Sequence, residues 1–183
     1  MDIYENNISL FTNKFVSPLS RIGTGFYKYY LMDTLQIGGE TCADLAFTPF
    51  NSESFGFNGH LYVTLDSTYF VKRAVLNFPK KINLNFVDYM LLEQEFKRAE
   101  DGTVCSTMKY HRRIQTDRRQ DGIFARRVAD YSRYSFLPTE EADKAFTKPE
   151  RIIEETEALS RPETFWAENR PQAAISQQEN SVD

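Results

Sequence analysis

Three adjacent arginine pairs, Arg112-Arg113, Arg118-Arg119 and Arg126-Arg127, crowd one short stretch, with Lys109, His111 and Arg133 among them. A guanidinium offers a planar fork of donors that meets a phosphate or carboxylate through two parallel bonds. The stretch therefore suits an anion, either the phosphates of a lipid head group or an acidic partner. The competing reading is a charge-protected edge hairpin, because cations on a sheet edge discourage pairing with another chain. Asp117, Asp121 and Asp130 neutralise part of the charge.

Acid–base candidates are sparse. The two histidines are His60 and His111, and Glu93 and Glu95 point the same way along an extended segment. An enzyme would have to gather at least two of these four in one cleft. No spacing of Cys, His and carboxylates suggests a metal site, and no Gly-x-Ser-x-Gly elbow is present. Gly23-Thr24-Gly25 has neither the following Lys-Ser/Thr nor the strand–loop–helix setting of a phosphate loop. The sequence thus offers no catalytic residues, no metal and no cofactor. Glu154-Glu155 and Glu157 read as a solvated helix face.

The most informative set is apolar. Phe55, Phe57, Leu61, Val63, Leu65, Phe70, Leu76 and Phe78 recur in extended segments. Such residues form a core, or they line the apolar groove that a curved sheet holds for an acyl chain or a peptide.

The elements that must position these residues lie in Lys28–Phe78. Tyr29, Leu31, Leu35 and Ile37 alternate with Tyr30, Met32, Thr34 and Gln36, and Gly38-Gly39 supplies a two-residue hairpin loop. A second strand runs from about Thr41 to Thr48 and stops at Pro49, which cannot donate to a ladder. The third spans Phe55–Leu65, turns at Asp66-Ser67 and returns through Phe70–Phe78. Pro79-Lys80-Lys81 is a turn, and Ile82, Leu84 and Phe86 alternate after it. Phe86–Phe96 reads as a strand, with a helix as competitor. Asp101-Gly102 then precedes two long strands, Val104–Thr116 and Ile123–Phe136, joined by a loop at Arg118–Gly122.

The fold class expected is mainly β: a curved antiparallel meander or half-barrel of about seven to nine strands with short C-terminal helices. Residues 1–27 read as irregular or extended, 28–137 as the half-barrel, 138–171 as short helices packing on the sheet, and 172–183 as a flexible tail. Within the third part, Thr139–Ala145, Glu150–Leu159 and Glu163–Asn169 look helical. Phe165 and Trp166, large and adjacent in a polar stretch, are expected to form a docking latch. Adjacent helical residues point about 100° apart, so one should enter the core and the other lie at its edge.

At 183 residues the chain is one domain with tails. A formal charge of −4 argues against general nucleic-acid binding, which needs a basic excess. No stretch approaches the about 20 apolar residues of a membrane helix. Met1–Leu10 lacks the basic start and apolar core of a signal peptide, which taken by itself suggests the cytoplasm. Cys42 and Cys105 have no metal spacing. They read as buried unpaired thiols, or as one inter-strand disulfide in an oxidising compartment.

Four stretches carry a resemblance: FVSPLS (Phe15–Ser20), KYYLMDTLQIGGETC (Lys28–Cys42), GHLYVTLDSTYFVKRAVLNFPKKINLNFV (Gly59–Val87) and FWAENRP (Phe165–Pro171). From about Tyr4 to Pro171 the chain resembles uncharacterised envelope proteins of Bacteroidota. In those proteins a signal peptide and a carboxypeptidase-regulatory-like sandwich precede this domain and an outer-membrane β-barrel follows it. The central strands are also similar, at the level of fold, to the half-barrel of periplasmic lipoprotein carriers. The chain lacks the family's leader, sandwich and barrel, so the expectation is an excised middle domain. The resemblance implies a periplasmic place against the outer membrane and carries no catalytic residues.

The expected function is that of a non-enzymatic periplasmic module. It would bind a lipidic or peptide ligand, a lipoprotein or another partner, beside the rest of its parent protein and with no nucleic acid. Its groove candidates are Phe55, Phe57, Leu61, Val63, Phe70, Leu76 and Phe78. The alternative is a hydrolase of envelope polymers using Glu93, Glu95, His60 and His111.

Overall fold

A computed structural model describes residues 3–10, 12–79, 82, 84, 87–98, 104–115, 122–130, 141, 156–157 and 160–169. For residues 88–89, 104–115, and 122–130 apart from Ala129, the description is of the backbone and its pairing. The chain divides into two units, Met1–Asp130 and Tyr131–Asp183.

The first unit is built from strands. β1 (Asn7–Leu10) and β2 (Asn13–Val16) pair as a two-stranded ribbon. One helical turn, α1 (Gly23–Phe26), leads into β3 (Tyr27–Ile37), β4 (Glu40–Pro49), β5 (Asn58–Thr64), β6 (Val71–Asn77), β7 (Val87–Arg98), β8 (Val104–Gln115) and β9 (Gly122–Asp130). These last seven form one sheet in which every strand pairs antiparallel with its neighbour in sequence. The fold is therefore mainly β, an open antiparallel meander of the half-barrel type. Among the described residues β3 and β9 are its two edges, so no barrel closes.

Local chemistry explains the connections. Gly38 and Gly39 have φ of 59° and 84°, the left-handed pair that a type I′ hairpin demands. In the β5–β6 turn one carboxylate oxygen of Asp66 accepts from the Thr64 and Thr68 hydroxyls and from the Thr68 and Tyr69 N–H groups. After β6, the Ile82 N–H bonds the Pro79 carbonyl, closing the expected turn. The competing helix at Phe86–Phe96 does not form: β7 occupies that stretch, because its buried positions recur every second residue through Met90, Leu92, Gln94 and Phe96.

Residues 1–27, expected to be irregular or extended, include the extended ribbon of β1 and β2. One expectation is corrected. The third strand begins at Asn58 rather than Phe55. The Phe55 carbonyl leaves the ladder to accept the Val16 N–H at 3.0 Å, and so ties β2 to the approach to β5.

The core lies on one face of the sheet. Tyr27, Phe47, Leu61, Ala74, Leu76, Leu92 and Phe96 belong to it, and Ile3, Ile8, Leu10 and Phe15 cover them from the N-terminal segment. Phe15 packs against Phe57 and Phe78 with ring centroids 5.1 and 4.9 Å away. Burying an aromatic side chain of this kind contributes about 1.5–3 kcal/mol, so the ribbon is held firmly.

In the second unit, α2 (Glu163–Asn169) is the described helix. Among the described residues no helix is long and apolar enough to cross a membrane; this says nothing of strands.

Candidate functional site

The groove candidates take different positions. Phe57, Leu61, Phe70 and Leu76 are buried in the core. Val63 and Phe78 are partly buried against it. Phe55 is exposed at one edge of the ribbon, its ring meeting Phe15 edge-on at 5.5 Å. Around Phe57 and Phe78 the place of an apolar ligand is taken by Phe15 of the chain itself.

The opposite face carries a polar row. Pairing aligns Asp44, Tyr62, Arg73 and Glu95 across four strands, and His60, Val75 and Glu93 in the next row. His60 Nδ1 lies 2.6 Å from Asp44 Oδ1. The His60 ring stacks along Tyr62 at 6.3 Å, and the Arg73 guanidinium sits 5.8 Å from the Tyr62 ring centroid. Arg73 donates to Glu93 at 2.7 Å and approaches Glu95 at 3.9 Å. Burial opposes the Arg73 charge, but the bond to Glu93 and the charge of Glu95 outweigh it and hold its pKa above the ordinary value. Burial, and next the Asp44 carboxylate, push the Tyr62 hydroxyl up.

Pairing places all four acid–base candidates on this face. Glu93 and Glu95 share Arg73, and His60 is paired with Asp44. His111 pairs in register with Leu91 and Arg126. Val75 stands between His60 and Glu93 in their row, so the histidine and the carboxylate do not meet. Asp44 and Arg73, the partners that define the row, had no signal in sequence spacing. They become visible only when strands are paired. Among the described residues no cluster of His, Cys, Asp and Glu could hold a metal ion.

The arginines separate. Arg112 pairs with Met90 and Ala125, while Arg113 pairs with Tyr89 and Phe124. Arg127 pairs with Tyr110, and Arg126 with His111. Neighbouring residues of a strand alternate between faces, so each pair contributes one arginine to each side. Arg118, Arg119 and Arg133 lie outside the described residues, as do Asp117 and Asp121.

The sheet edge at β3 holds a feature that the alternation pattern concealed. Tyr30, Leu31 and Met32 are 50%, 68% and 60% exposed. A register shift between Leu31 and Asp33 leaves Met32 as an extra residue opposite β4. Among the described residues nothing pairs with the free side of β3. Exposed Phe50 lies close by, its ring 5.3 Å from Lys28 Nζ. The available signal was the run Tyr-Tyr-Leu-Met: in any strand, consecutive apolar residues cannot all reach one core.

Cys42 is a buried free thiol, and burial pushes its pKa up. Cys105 lies in β8, opposite Lys97. Phe165 and Trp166 meet edge-on at 5.3 Å, with the Arg161 guanidinium 4.4 Å from the Phe165 ring. Neither is buried, and Trp166 is 41% exposed. The two rings pack on each other. The helices expected at Thr139–Ala145 and Glu150–Leu159, like the tail 172–183, fall largely or wholly outside the described residues.

No curated protein and no solved structure matches the chain. A family of unknown function, DUF5686, matches residues 1–134, the ribbon and the whole meander. The chain belongs to the DUF5686 family.

Proposed function

We propose that this domain is a non-enzymatic docking module of an outer-membrane protein, which receives an extended segment of a partner along β3. The observation that carries the reading is the exposed Tyr30-Leu31-Met32 run on a strand whose outer side is open among the described residues. An open edge offers a row of backbone donors and acceptors, and side chains beside it select the incoming strand. Lys28, Asp33 and the bulge at Met32 discourage a generic strand. The apolar run rewards one that fits. The filled face at Phe15 favours edge docking over a deep acyl groove at the same place. The periplasmic setting rests on the resemblance to Bacteroidota envelope proteins, in which a sandwich and a barrel flank this domain. A hydrolase has less support, because His60 and Glu93 are each engaged by another residue and separated by Val75.

The test is a photo-crosslinking amino acid placed at Tyr30 in the parent protein, in its native cells, with Glu53 as an exposed control position. The expected adduct forms at Tyr30, maps to one extended segment of one protein, and disappears when Leu31→Lys is added. Equal adducts at both positions, or none at Tyr30, would contradict docking at β3.

A further inference from the structure

The end of the sheet where β3 and β5 begin and β4 stops is apolar and exposed. Ile22 and Phe50 are 61% and 58% exposed there, and Phe55 is 41% exposed. Three contacts make them one patch. The Phe26 N–H bonds the Ile22 carbonyl at 3.0 Å, and residues four apart on a helical turn are neighbours. The Phe50 N–H bonds the Phe26 carbonyl at 3.0 Å. The Phe26 ring lies over Gly56, beside Phe55: a Cβ on Gly56 would stand 2.6 Å from it. Half-buried Phe26 is thus the centre, with Ile22, Phe50 and Phe55 around it.

The loop that carries Phe50 and Phe55 is braced from within. The Asn51 side-chain oxygen accepts the Glu53 N–H at 3.0 Å, and the Asn51 carbonyl accepts the Ser54 hydroxyl at 2.7 Å. The Gly56 N–H bonds the Ser54 carbonyl at 2.8 Å, and the Phe55 carbonyl is taken by the Val16 N–H. Unlike the free side of β3, this end presents apolar side chains while these backbone groups are bonded internally. A strand partner reads backbone groups. A lipid surface takes up apolar side chains and needs no ladder.

Charge selects the lipid. Residues 12–32 contain Lys14, Arg21 and Lys28 and no Asp or Glu. Arg21 directly precedes Ile22 and is exposed. Lys28, also exposed, holds its Nζ 5.3 Å from the Phe50 ring centroid. The acid of the loop is Glu53. With a formal charge of −4, the chain as a whole is repelled by an anionic surface while this end is drawn to it.

We propose that this end of the sheet seats on an anionic lipid surface. Ile22, Phe50 and Phe55 enter the boundary of the acyl chains, and Arg21 and Lys28 lie at the level of the head groups. The seat uses no partner strand on β3, so either proposal can fail without the other.

The test is flotation of the full chain with vesicles of equimolar phosphatidylglycerol and phosphatidylcholine, and with vesicles of phosphatidylcholine by itself. The mixed vesicles should bind the chain at least about tenfold more tightly than the neutral ones. Ile22→Ser with Phe50→Ser should weaken binding to the mixed vesicles by at least about tenfold. Arg21→Gln with Lys28→Gln should do the same, and keeps the test alive if the first double variant does not fold. Leu65→Ser with Tyr69→Asn removes two exposed apolar side chains from the other end of the sheet and should change binding by less than about twofold. The proposal is overturned by absence of binding to the mixed vesicles, by equal binding to the neutral ones, or by equal losses in the Leu65 and Tyr69 variant. It is overturned as well by self-association of the chain that Ile22→Ser with Phe50→Ser abolishes while vesicle binding stands, which would give the patch to a second copy.

Discussion

The Tyr27 hydroxyl accepts the Phe57 N–H at 3.0 Å and donates to the Val16 carbonyl. One oxygen thus joins the start of β3, the approach to β5 and the end of the ribbon. Tyr27→Phe leaves the ring and removes both bonds, stranding the Phe57 amide. The expected loss is about 1–3 kcal/mol, read as a lower denaturation midpoint with unchanged slope. Burial pushes the Tyr27 pKa well above its ordinary value. The folded hydroxyl therefore holds its proton more tightly than the unfolded one. Its contribution is full below about pH 10 and is lost as pH rises beyond that. Denaturation at several alkaline pH values should show this decline, and Tyr27→Phe should weaken it.

Phe15 is fully buried against Phe57 and Phe78. Phe15→Ala should cost about 3–5 kcal/mol. Amide exchange should show β1 and β2 losing protection first, because the ribbon is fastened to the core face largely through this ring. A variant as stable as the parent would mean that the ribbon is not what closes this face.

Gly59 admits no side chain. A Cβ there would stand 1.8 Å from the Val75 carbonyl oxygen on the paired strand. Gly59→Ala must push β5 and β6 apart, at a cost of at least about 1–3 kcal/mol. Thermal melting checks this, and an unchanged midpoint would contradict the close approach.

Asp66 organises the β5–β6 turn. Hydrogen bonds from the Thr68 and Thr64 hydroxyls lower its pKa from 3.8 to about 2. Because the folded value lies below the unfolded one, the contribution is present above about pH 4 and fades as pH falls toward 2. Carboxyl titration by NMR should find this depressed value. Asp66→Ala should abolish the acid dependence and lower the melting temperature. It should also release Tyr69, which holds a φ of 49° in the same turn.

Much of the meander was legible because strand alternation and turn chemistry agree. Gly38-Gly39 and Asp66-Ser67 mark the turns, and neighbouring strands in sequence are neighbours in the sheet. The ribbon was not legible as strands: β1 and β2 are only four residues each, too short for alternation to register. The site was harder to read. That adjacent arginines must take opposite faces follows from strand geometry, but which of them faces the core depends on pairing with Met90 and Leu92. The Arg73 bridge to Glu93 joins residues 20 apart in the chain. The β3 run was hidden by its own regularity, since exposure there comes from lying at the edge and from the extra residue at Met32.

The most direct test of docking at β3 is amide exchange at Tyr30–Met32. It is measured on the full chain by itself and again with a synthetic peptide of the segment that crosslinking identifies. By itself, amides on the free side of β3 should exchange far faster than those of β5, which is paired on both sides. With the peptide they should slow by about a hundredfold or more, while β6 is unchanged. Free-side amides of β3 as protected as β5 in the chain by itself, or still fast with the peptide bound, would contradict the account.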